Sequence, residues 1–149
     1  MFFTMRFILS WTLWILLADK SRWRELFPVC LLASYLGFMT DILMDYYLLW
    51  EYAGIGNPVF IKFSANFEVF IVATYLFIQW LPTKQTLRRM FWYWFIWTTI
   101  AIVIEAIHVM SDHMRYHQWW SMWHSYFADW FLFWVFYKFH KGFRFEKSN

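Results

Sequence analysis

The sequence predicts an all-α fold, an integral membrane bundle of five transmembrane helices. Three observations predict it. Of 149 residues, 62% are hydrophobic and 28% aromatic while only 15% are charged, far from the balance of a soluble domain. The apolar residues fall into runs of about 17 to 24, the length a helix needs to cross a hydrocarbon core of about 30 Å. No polar segment between the runs exceeds about ten residues, too few to bury a core of its own. The chain therefore reads as a single transmembrane domain over 1–149. Cys30 is the sole cysteine and lies in an apolar run, which excludes an internal disulfide and a Cys-rich metal site.

The first run, about 2–18, is interrupted only by Arg6. A cleaved signal peptide is the rival reading and would leave four helices. Against it, the basic residue sits inside the apolar stretch and LLADKS is a poor small-residue cleavage site. A polar loop, DKSRWRE, leads to the second run, about 27–50, which opens with Pro28 where a helix tolerates it best. This run carries Asp41 and Asp45 below Ser34 and Gly37 on one face. EYAGIGN is rich in breakers, and Asn57 before Pro58 signals the next helix start. That third run, about 58–80, holds Lys62, Ser64, Asn66 and Glu68, and Pro82 ends it. After the loop PTKQTLRRM, the fourth run, about 90–112, places Thr98, Ala101, Glu105, His108 and Asp112 at spacings of three and four on one helix face. The connector HMRYHQ precedes the fifth run, about 119–139, with Ser121, His124, Ser125 and Asp129. The tail KFHKGFRFEKSN is short and basic.

Positive charge sets the expected orientation. Lys20, Arg22, Arg24, Lys84, Arg88, Arg89, Lys138, Lys141, Arg144 and Lys147 would share one side of five spans, and Arg6, Lys62 and Arg115 the other. Such a bias places the N-terminus outside and the C-terminus in the cytoplasm. Trp50, Trp80, Trp92, Trp119 and Trp120 suit the aromatic belts at span ends. The basic residues are explained by topology, and no nucleic-acid module or Gly-rich phosphate loop is present.

Depth reveals a second pattern. Asp41, Asp45, Glu105 and His108 come late in outward-running helices, and Lys62, Asn66, Glu68, His124 and Asp129 come early in inward-running ones. At about 1.5 Å per residue all lie in one layer, roughly 6 to 15 Å below the outer surface. The expectation is an intramembrane acidic and histidine pocket, open outward and closed toward the cytoplasm. Five carboxylates against Lys62 and fractional histidine charge require either protonated carboxyls or a bound cation. Carboxylate and imidazole donors suit Zn, Mn or Fe. Glu105, His108, His124, Asp41 and Asp45 are the expected metal ligands, with Lys62, Asn66, Glu68, Asp112 and Asp129 as the remaining polar pocket. Glu105 and His108 have the Glu-x-x-His spacing of di-metal bundles, but the second copy those sites need is missing.

Plainer roles compete. Asp41 and Asp45 pair with Lys62 to hold the second and third helices together; His108 and His124 hydrogen-bond between helices; His113 and His117 are solvated in the outer connector. Trp94, Trp97, Trp130 and Trp134 pack or face lipid, and Ser121 and Ser125 bond between helices rather than act as nucleophiles.

At DKSRWRELFP, DILMDYYLLWEY, EAIH and YHQWWSMWHSY the chain resembles small, aromatic-rich, multi-spanning membrane proteins of Bacillus-type spore-forming bacteria. The resemblance implies a multi-pass protein of the bacterial plasma membrane and carries over no activity, cofactor or catalytic residue. Three functional classes follow from the residues. One is a metal-binding protein or metal-dependent enzyme. Another is a proton- or cation-coupled carrier, acting as an oligomer because the chain is short. The third is a structural or accessory subunit docking a membrane-protein partner.

Overall fold

A computed structural model describes residues 2–53 and 57–143 of the chain. Helix α1 spans Phe2–Leu17, and a short 3-10 turn, Lys20–Arg22, leads into α2, Trp23–Tyr46. Strand β1, Trp50–Tyr52, precedes α3, Pro58–Ala65, which widens into a π turn over Asn66–Phe70 and continues as α4, Ile71–Gln79. Helix α5 spans Leu87–Met110, strand β2 spans Met114–Tyr116, and α6 spans Met122–Gly142. Gly54 and Gly56 of the expected turn, and Arg144 and Lys147 of the basic tail, lie outside the described residues.

The all-α class holds. Among the described residues three segments are long and apolar enough to cross a membrane, Lys20–Tyr46, Val59–Gln79 and Leu87–Met110. Five were expected. Helix α1 has 16 residues and extends about 24 Å, less than a hydrocarbon core. Helix α6 has the length, with 21 residues, but is not among the three.

Several boundaries shift for local reasons. The second helix starts ahead of Pro28, inside what reads as a loop. The Asp19 side chain accepts from the Ser21 N–H at 3.0 Å, and Arg22 donates to Glu25 at 2.9 Å, so the entry turn is held by its own side chains. The same helix stops before Trp50, which belongs to a strand. Asn57 does cap α3, accepting from the Val59 N–H at 2.9 Å. Asp112 lies beyond α5 in the left-handed region, at φ 59°, and faces Arg115 at 3.5 Å; it does not share the Glu105 face. Trp119 and Trp120 precede α6, whose start is a capping box between Ser121 and His124.

Helix α4 forms the centre. Ile71, Val72, Tyr75, Leu76, Phe77 and Ile78 are buried there against Leu26, Val29, Cys30 and Ala33 of α2 and against Trp97, Phe133 and Phe136. Helix α1 packs on α4, and α5 packs on α6. One end of the bundle is tied by polar contacts: the Asp19 N–H donates to Gln79 Oε1 at 2.7 Å, Gln79 Nε2 to the Leu17 carbonyl at 2.9 Å, and the Tyr137 hydroxyl to Gln85 Oε1 at 2.7 Å. The other end is closed by β1 and β2, antiparallel with Trp50 opposite Tyr116, Glu51 opposite Arg115 and Tyr52 opposite Met114. This strap joins two loops far apart in the chain.

Candidate functional site: a capped cavity with one polar end

Beneath the strap lies a cavity of about 190 Å³. Helical periodicity decides which side chains reach it. From α5 come Trp97, Ile100, Ala101, Ile104, Glu105 and His108; from α6 come Ser125, Ala128, Asp129, Leu132, Phe133 and Phe136. These are single faces at steps of three and four. Both faces grade from polar to aromatic, and because α5 runs toward the strap while α6 runs away from it, the gradients coincide. Asp41 of α2 and Arg6 of α1 join the polar end, while Trp50, Tyr52 and Met114 line the cavity from the strap.

The expected pocket residues divide. Glu68 is fully buried and forms an ion pair with Arg6. A second Arg6 nitrogen lies 2.6 Å from His108 Nε2, and His108 Nδ1 lies 2.7 Å from the Ile104 carbonyl of its own helix. A carbonyl only accepts and a guanidinium only donates, so His108 carries its proton on Nδ1 and accepts at Nε2 as a neutral ring. Asp41 accepts from Asn66 Nδ2 at 2.7 Å. The same amide donates to the Lys62 carbonyl of α3 at 2.8 Å, so Asn66 ties the π turn to α2 through Asp41. Glu105 accepts from the Tyr116 hydroxyl of the strap. Burial, and then the Glu105 carboxylate holding its hydrogen bond, push the Tyr116 hydroxyl well above the ordinary tyrosine range. Asp129 lines the same cavity as Glu105, within reach of its charge.

Other expected members lie outside. Lys62 forms an ion pair with Asp45, and neither lines the cavity. His124 is exposed and caps α6, its Nδ1 lying 2.9 Å from the Ser121 hydroxyl. Asp112 is exposed at the α5 terminus.

The five expected metal ligands do not form one cluster. Among the described residues no group of three His, Cys, Asp or Glu side chains comes together to hold a metal ion. His108 has spent both ring nitrogens, on Arg6 and on Ile104; His124 caps a helix; Asp45 is held by Lys62. The five expected ligands, Glu105, His108, His124, Asp41 and Asp45, thus answer to separate partners.

Arg6, Tyr116, Tyr52 and Trp50 belong to this end of the molecule and were not among the expected site residues. Arg6 had a signal, being the only charge in an otherwise apolar run, which by itself calls for a buried partner. The strap residues had none, because their placement depends on pairing between distant loops. Comparison with known proteins finds no family model, no curated protein and no solved structure that matches this chain. What the fold and site define is a class: a mostly helical protein in which, among the described residues, three helices are long and apolar enough to cross a membrane, with a cavity polar at one end.

Proposed function

We propose that this is a multi-pass membrane protein that binds a small amphiphile in its capped cavity, polar group toward the strap and hydrocarbon toward Trp97, Phe133 and Phe136. The observation that carries it is the coincident gradient along α5 and α6. A mostly apolar enclosed pocket with a few converging polar groups is the usual form of a small-molecule site. The volume suits the reading, since an apolar cavity of about 150 Å³ takes a benzene ring.

In this reading all five long helical segments cross the bilayer, the shorter α1 held by Arg6 at the strap end and by Gln79 at the other. The basic residues Lys20, Arg22, Arg24, Lys84, Arg88, Arg89, Lys138 and Lys141 gather at the end opposite the strap, which makes that end cytoplasmic and the cavity outward. A bacterial plasma membrane agrees with the sequence resemblance. Carriage of the bound molecule across or along the membrane is the biological role this arrangement serves best.

Native mass spectrometry of the protein released from lipid nanodiscs tests the binding. The wild type is expected to retain a small non-lipid adduct, and Ala128→Phe, which fills the cavity from its wall, is expected to lose it while keeping its helical circular-dichroism spectrum. An adduct of the same mass and occupancy in Ala128→Phe would place it outside the cavity and sink the proposal.

A further inference from the structure

We infer that the ligand's polar group is a protonated amine, received by Asp129 and Glu105; this rests on the cavity being a binding site.

The charge inventory of the polar end leads there. Among the described residues Arg6 is the one Lys or Arg side chain that lines the cavity, and its charge is met by Glu68. His108 is neutral by its tautomer. Lys62 is committed to Asp45. Three carboxyl groups then line the cavity, Asp41, Glu105 and Asp129, and among the described residues none of them forms an ion pair with Lys or Arg. Asp41 and Glu105 are met by neutral donors alone, Asn66 and Trp50 at Asp41 and Tyr116 and Ser125 at Glu105. Asp129 accepts none from any described residue and has the Glu105 carboxyl as its electrostatic neighbour. Two carboxyls facing one largely apolar cavity are costly without a cation or a shared proton.

The cavity supplies the room a cation needs. An ammonium group has three donors and no acceptor, so one head group in the cavity can serve Asp129 and Glu105 together. A carboxylate or phosphate head would meet the same groups as like charge and be refused. The remaining space is closed by Trp97, Phe133 and Phe136, which takes an aryl or short branched-alkyl body. The ligand class is a small lipophilic amine.

The test uses three probes that share a ring and differ in the head: phenethylamine, 2-phenylethanol and phenylacetate. Each is measured by equilibrium dialysis against the full chain in phosphatidylcholine nanodiscs, with empty nanodiscs as background, because a zwitterionic bilayer does not itself favour a cation. Phenethylamine is expected to bind about ten-fold more tightly than the alcohol, with phenylacetate at background. In Asp129→Asn the amine is expected to fall to the level of the alcohol, whose own binding persists and certifies the fold. Equal binding of amine and alcohol by the wild type overturns the head-group assignment while leaving the cavity as a binding site. An amine preference undiminished in Asp129→Asn overturns it as well. Binding of none of the three above background removes the cavity reading itself and this inference with it.

Discussion

Arg6 shows how one side chain can be conspicuous in a sequence and still be assigned the wrong role. As a lone charge in an apolar run it counts toward topology; in three dimensions it reaches across the bundle to Glu68 of the π turn and His108 of α5. Glu68 is fully buried, so removing Arg6 leaves a carboxyl with neither water nor partner. Arg6→Leu is expected to destabilise the protein by about 3–5 kcal/mol, and Arg6→Leu with Glu68→Leu to recover most of that loss. Thermal unfolding in one detergent decides it, and equal losses in the single and double variants would contradict the pairing. Tyr116 offers a pH readout at the same scale. Its folded-state value is raised above the ordinary 10.0, so as pH rises past 10 the unfolded chain releases the phenolic proton while the folded chain retains it. Stability then falls with increasing pH, and Tyr116→Phe is expected to flatten that fall. An unchanged alkaline slope in the variant would show that the Glu105 bond does not govern it. Glu105 and His108 were legible as residues needing partners, because charge in an apolar helix is expensive wherever it sits. Which partners they have was not legible, since spacing along one helix is silent about the helix opposite.

At the scale of elements, the contact between α2 and the π turn is the one most sensitive to a single atom. A Cβ on Gly37 would strike Asn66 Oδ1 and lie 2.7 Å from the Phe70 ring, whereas one on Gly142 meets nothing within 4 Å. Asn66 cannot step aside freely, because its amide holds both Asp41 and the Lys62 carbonyl. Gly37→Ala is expected to cost about 1–3 kcal/mol through overpacking, with Gly142→Ala near neutral as its control. A melting temperature for Gly37→Ala within error of wild type would mean that α2 and the π turn do not approach so closely. The helices themselves were readable to within a few residues from run length and flanking charge. The π turn was not, because Asn66 and Glu68 read equally well as polar positions of an unbroken α-helix, and the wider turn is registered only where Asn66 finds Asp41. The strap was not readable either: Trp50–Tyr52 and Met114–Tyr116 are each too short to declare themselves as strands, and each is extended because the other is opposite it.

For the whole molecule, orientation is the property with the sharpest test. The polar ties through Gln79, Asp19, Gln85 and Tyr137 gather the basic helix ends at one pole, and the strap marks the other. In intact cells a membrane-impermeant maleimide is expected to label Arg115→Cys and to spare Lys84→Cys, with Cys30, which is buried, replaced by Ala to clear the background; the reverse pattern would invert the topology. Composition and periodicity alone determined that this is a helical, lipid-compatible chain, roughly where its helices run, and that carboxyl and imidazole groups concentrate toward one end. Those properties are additive along the chain: burial in lipid and helix geometry act on each segment by itself. Tertiary structure alone decided that Arg6 faces Glu68, that Asp45 and His124 leave the site while Asp41, Glu105 and Asp129 line a cavity, and that the expected ligands take separate partners. Each of those outcomes depends on the rotation and neighbour of a helix, which are set by packing between segments distant in sequence, such as Gly37 against the π turn and one strand of the strap against the other.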